Sequence, residues 1–126
     1  MLKFIYVGLG GLLGAMGRYA ISEYVQRLFN TTFPAGTLAV NVLGCFLLGV
    51  FMHLIQSQGF FSAHTRIFVT VGLLGAATTF STFGHETIGL IDSGRNWLAL
   101  LNVMGNVILG FSAVWLGTTV VRSAGY

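Results

Sequence analysis

Charge is the scarcest property of this sequence. Six of its 126 residues are Lys or Arg and three are Asp or Glu, 7% in all, where an ordinary soluble domain carries roughly 25%. A water-facing surface is thereby excluded, and with 55% of the residues hydrophobic the chain reads as a membrane protein. The formal net charge of +3 is scattered over both ends of the apolar stretches. With no basic stripe, nucleic acid is excluded as a partner. Cysteine occurs once, as Cys45 inside an apolar run, which rules out an internal disulfide and a thiolate metal cluster. Proline also occurs once, against 18 glycines, and glycine enrichment in apolar segments favours close helix contact in lipid.

What is there is length in apolar runs. Four stretches, approximately 4–24, 35–55, 67–91 and 97–121, each reach the roughly 20 residues that cross a bilayer. The sequence therefore predicts an all-α membrane protein, a single transmembrane domain of four helices over residues 1–126. The amino-terminal run reads as a retained first helix. The third stretch, at 25 residues, would be about 37 Å long as a continuous helix against about 30 Å of hydrocarbon. It must tilt, kink or break. A break is expected between Gly75 and Thr79, where the run AATTFSTFG offers hydroxyls to freed backbone groups. Irregular backbone at that depth survives only where protein or a water-filled cavity surrounds it.

Taking both termini on one face, Lys3, Arg66 and Arg122 stand against Arg27 and Arg95 on the other, with Arg18 levelling the count. The rule that positive loops stay inside has almost nothing to act on. A chain so evenly charged can insert both ways and pair with an inverted copy. An antiparallel homodimer is the expectation from charge and size, the alternative being a single orientation set by Lys3 and Arg66.

In-span polar residues are costly and mark cavities or helix contacts. They are Asn41 in the second span, Thr78, Thr79, Ser81, Thr82, His85 and Glu86 in the third, and Asn102, Asn106 and Ser112 in the fourth, with Arg18 toward the end of the first. Phe80 and Phe83 are three apart and share a helix face. Their positive ring edges, with the two donor hydrogens of the Asn41 amide, form an anion-holding set without a trapping charge. Helix packing explains such a Phe pair equally well. Arg18 would concentrate anions at a water-filled vestibule, or else snorkel or pair with Glu23. Adjacent His85 and Glu86 diverge on a helix and have no third ligand at metal spacing, so zinc is discarded. GLGGLLG lacks the glycine that a dinucleotide motif requires at position 13, which is Leu13. Gly10 and Gly14 instead make a GxxxG contact face. No nucleophile, base and orienting group line up, and no enzyme is expected.

Four segments, GGLLGAMGRY, FPAGTLAVNVLG, GLLGAATTFSTF and NVMGNVILG, together resemble the small fluoride channels of bacteria, the Fluc family, also called CrcB. The third is the most specific. The resemblance implies a dual-topology antiparallel homodimer in the bacterial inner membrane, with two pores for passive export of cytoplasmic fluoride. Carried onto this sequence, it makes Phe80 and Phe83 the phenylalanine pair lining each pore and Asn41 the coordinating amide. Ser81 and Thr82 become the hydroxyl track, Glu86 a polar position at its outer end and Arg18 the vestibular arginine. It also implies a structural sodium ion (Na+) on the dimer axis, held by the backbone carbonyls of Gly75 and Thr78. The competing expectation is a proton-coupled small multidrug exporter, in which Glu86 would carry the proton.

Overall fold

A computed structural model describes residues 1–59 and 61–125. Helix α1 (Leu2–Phe29) and helix α2 (Ala35–Gln58) form the first two spans. The third is composite: α3 (Ala63–Arg66), a π-helical segment (Ile67–Leu74), α4 (Gly75–Ala77), an extended pair at Thr78 and Thr79, then α5 (Phe80–Asp92). Helix α6 (Asn96–Ser123) is the fourth. Taken with its break, the third span runs Ala63–Asp92, and all four are long and apolar enough to cross a membrane. Helices suit lipid because each satisfies its own backbone hydrogen bonds.

The turns are built from identifiable residues. Asn30 adopts the left-handed conformation (φ 43°, ψ 47°) that ends α1, its N–H closing on the Gln26 carbonyl. Gln26 then staples the loop: its amide donates to the Thr31 and Phe33 carbonyls at 2.6 and 3.0 Å and accepts from the Gly36 N–H at 3.1 Å. The turn before α6 places Gly94 at φ 75°, a conformation glycine adopts without steric cost.

Burial is inverted relative to a soluble protein. Asn102 has no exposed surface, while Phe80 is 83% and Phe111 74% exposed. Large apolar side chains thus face outward, to lipid or to another copy, and polar groups face in. Small residues bring the helices together. Gly10 and Gly14 of α1 lie directly on the backbone of Phe68, Gly72 and Leu73, so the GxxxG is a helix contact face, as expected, and its partner is the third span. Gly49 of α2 and Gly117 of α6 interlock in the same way, each against the other helix's backbone. At the start of the third span His64 stacks on Tyr6 of α1, ring centroids 4.8 Å apart.

Candidate functional site

The site forms where the third helix stops. Thr78 (φ −83°, ψ 146°) and Thr79 (φ −144°, ψ 119°) are extended, which frees helical hydrogen-bonding groups on both sides. The Thr79 N–H, whose helical acceptor would be the Gly75 carbonyl, donates instead to Asn41 Oδ1 at 2.9 Å. The Thr82 N–H, due to the Thr78 carbonyl, is taken by Thr79 Oγ1 at 3.3 Å, the N-cap of α5. Glycine at 44 makes the break possible from the other side, since a Cβ there would overlap the Thr78 side chain.

Asn41 crosses from α2 into this gap. Its amide nitrogen donates to Asn106 Oδ1 on α6 at 2.8 Å and to the Thr79 carbonyl at 3.3 Å. The second bond is longer than the usual 2.9–3.0 Å for N–H···O and is the looser of the two. Beside it the rings of Phe80 and Phe83 lie 5.5 Å apart, inclined at 56°. Asn41, Gly75, Thr78, Thr79, Phe80, Phe83 and Asn106 all face one open groove of about 510 Å3, which holds no ionisable carboxylate or amine.

A second cavity, of about 210 Å3, adjoins the break and brings together Arg18, Glu23, Thr37, Thr79, Thr82 and Glu86. Thr37 donates to Glu86 Oε1 at 2.7 Å, while Glu86 Oε2 and Arg18 Nε are buried without protein partners. Glu23 pairs with Arg27 at 3.0 Å, one turn along α1, so it is not held by Arg18. Gly75 and Thr78, the residues expected to offer backbone carbonyls to a cation, line the groove and not this second cavity.

Two adjacent hydroxyls separate. Thr82 faces the Arg18–Glu86 cavity, whereas Ser81 is exposed, its Oγ 3.3 Å from Thr79 Oγ1. Consecutive helical residues point about 100° apart, which accounts for the divergence. Thr37 and Thr87, to which the sequence assigned no part, also enter, together with the in-span Asn102 and Asn106, whose places the sequence left open. Asn106 lines the groove, Thr37 holds Glu86, and Asn102 with Thr87 backs Asn106. Thr37 and Asn41, like Asn102 and Asn106, are four apart on their helices, a spacing that puts each pair on one face. Among the described residues, no group of three His, Cys, Asp or Glu is placed to hold a metal ion.

Four apolar helices, one broken at mid-span around neutral hydrogen-bonding groups, define a small multi-pass membrane protein. Comparison with known proteins narrows the class. Residues 5–118 match the family described as CrcB-like protein, Camphor Resistance (CrcB), and the chain belongs to that family. It is 46% identical over 123 residues to a protein of Shewanella woodyi named fluoride-specific ion channel FluC, covering 98% of each chain. It is 45% identical over 120 residues to fluoride-specific ion channel FluC 3 of Methanosarcina barkeri, covering 95% of this chain and 90% of that one. A FluC of Citrifermentans bemidjiense is 39% identical over 123 residues, covering 98% and 99%. Nothing in these relationships supports the multidrug-exporter alternative built on Glu86.

Proposed function

We propose that this chain is a fluoride-selective channel that lets cytoplasmic fluoride leave passively across the bacterial inner membrane. It does so as an antiparallel dual-topology homodimer with two pores. The observation that carries the proposal is the groove at the break, lined by two side-chain amides, two tilted phenylalanine rings and threonines, with no fixed charge. Fluoride is small, strongly hydrated and a strong acceptor, so a narrow path must replace its water with donors. The Asn41 hydrogen held only by the 3.3 Å bond to Thr79 is the one an anion competes for, and the ring edges of Phe80 and Phe83 add positive potential without trapping the ion. Phe80 is 83% exposed in one protomer. A second, inverted copy seated on the open side of the groove would close it into a pore.

Arg18 stands in the adjoining cavity as the vestibular cation, with Thr82 and Glu86 marking the route between vestibule and groove. The buried Arg18 Nε has a donor to spare there. Glu86 is tethered by Thr37, and sharing the cavity with Arg18 offsets its repulsion of anions. Ser81, exposed at the start of α5, belongs to the hydroxyl track at the face that the partner copy covers.

The carbonyls of Gly75 and Thr78 have each lost the N–H that a continuous helix would give them. Hard oxygen donors of this kind suit an alkali cation, and the carbonyls of Gly75 and Thr78 from two inverted copies would together hold a structural sodium ion. The chemistry such an ion would supply is a positive charge to satisfy the freed carbonyls. Exchanging all sodium for N-methylglucamine is expected to lower the thermal stability of the dimer in detergent, with recovery on returning sodium. A melting temperature indifferent to sodium would remove the cation from the proposal.

Efflux from proteoliposomes without an imposed proton gradient tests the function. Fluoride is expected to leave faster than chloride, measured with ion-selective electrodes on vesicles loaded with each salt. Equal rates for the two anions, or efflux that requires a proton gradient, would sink the channel reading.

A further inference from the structure

Behind the groove runs a chain of side-chain amides whose polarity is fixed from both ends. The Phe83 carbonyl can only accept, so the single hydrogen of the Thr87 hydroxyl is committed to it over 2.7 Å. Thr87 Oγ1 therefore meets Asn102 as an acceptor, taking a bond from Asn102 Nδ2 at 2.9 Å. Asn102 is left to turn its carbonyl oxygen to Asn106. The Asn106 amide nitrogen reaches that oxygen at 3.0 Å and the Asn102 backbone carbonyl at 2.9 Å. Asn106 then has only Oδ1 for Asn41, which donates to it at 2.8 Å. Asn41 in turn has only Oδ1 for the Thr79 N–H, a group that can only donate, at 2.9 Å.

Both anchors are backbone groups of opposite sense in the third span, and they flank the start of α5, which carries Phe80. Turning over any one amide would set donor against donor or acceptor against acceptor at two places. Such a chain is costly to satisfy partly and stiff when satisfied fully. Neither Thr87 nor Asn102 faces the groove, and Asn102 is wholly buried.

We infer that Asn102 and Thr87 are positioning residues for conduction, which through Asn106 hold the Asn41 amide with its NH2 edge in one orientation beside the Phe80–Phe83 pair. The inference rests on the fluoride-channel function proposed above and adds to it a part for two residues that never meet the ion. Thr87 ties one end of the chain to the Phe83 carbonyl, the Thr79 N–H holds the other, and Asn102 with Asn106 links them. Without the Thr87 hydroxyl, Asn102 Nδ2 loses its acceptor and the Asn102 side chain is free to turn, so Asn106 is held by the Asn102 backbone carbonyl alone and Asn41, still pinned by the Thr79 N–H, is held less stiffly.

The test uses the full chain in proteoliposomes. Thr87→Val keeps the shape and removes the hydroxyl, and fluoride efflux is expected to fall about tenfold, the consequence of one unsatisfied buried donor. Thr87→Ser returns the hydroxyl and is expected to restore the rate. If Thr87→Val conducts like the wild type, or Thr87→Ser is as slow as Thr87→Val, the positioning role is overturned. Wild-type vesicles that pass chloride as fast as fluoride would strike the channel function instead, so the two failures are distinguishable. Hydrogen exchange of 15N-labelled asparagine side chains in the unmodified protein reads the chain without any substitution, even where Thr87→Val does not assemble. The side-chain amides of Asn41, Asn102 and Asn106 are expected to exchange more slowly than those of exposed Asn30 and Asn96. Equal exchange at Asn102 and Asn30 would also overturn it.

Discussion

Asn41→Asp is expected to cut fluoride efflux by about a hundredfold or more while the dimer still forms, and the reason is polarity, since the two side chains have the same shape. The substitution replaces an NH2 that donates to Asn106 Oδ1 and to the Thr79 carbonyl with an oxygen that can donate to neither. Each acceptor left facing an acceptor costs about 1–3 kcal/mol. A carboxylate also repels the ion: two like unit charges 4 Å apart cost about 4 kcal/mol at the effective dielectric typical near a protein surface. At 1.4 kcal/mol per factor of ten, repulsion alone exceeds a hundredfold. Fluoride-electrode recordings of reconstituted protein, with size-exclusion chromatography to verify the dimer, provide the check. Efflux within threefold of wild type would show that the Asn41 amide lies off the ion path and would take the groove assignment with it.

How much of this was legible beforehand depends on the physics of each feature. The spans were legible because hydrophobic length is a property of residues in sequence. The helices nonetheless run past the hydrocarbon-length estimates: α1 ends at Phe29 and not at 24, where Asn30 turns left-handed and the Gln26 side chain ties down the loop that follows. The break was legible from excess length, and the structure puts it at Thr78 and Thr79, inside the expected window. The π-helical segment Ile67–Leu74 was not, since an unbroken apolar stretch gives no sign of altered helical hydrogen bonding. Nor was the amide chain. Asn102 and Asn106 were visible as costly in-span polar groups, but their partners lie on other helices, and pairing Asn41 with Asn106 requires knowing that α2 packs against α6. Arg18 shows the same limit: the sequence allowed a bond to Glu23, and only the fold shows Glu23 engaged by Arg27.

Gly14→Ala is expected to destabilise the folded protein by about 3 kcal/mol, the upper part of the range for overpacked sites, although it adds a single methyl group. In a soluble helix the same change would ordinarily stabilise, by roughly 0.5–1 kcal/mol. The sign reverses because a Cβ at Gly14 would drive into the Leu73 carbonyl oxygen, 3.0 Å from its carbon and 3.2 Å from the Ala76 Cβ. Backbone cannot yield as a flexible side chain can, and lipid offers no hydrophobic gain to compensate for separating the two helices. Leu73 also immediately precedes Leu74, which lines the groove with Gly75 and Thr78, so displacing it would shift that part of the wall. Gly8→Ala, six residues earlier on the same helix, meets nothing within 4 Å and serves as the control. Thermal unfolding in detergent should therefore separate the two variants by several degrees, with Gly8→Ala near wild type. Equal melting temperatures would show that α1 does not depend on backbone contact with the third span, and that the GxxxG spacing is incidental.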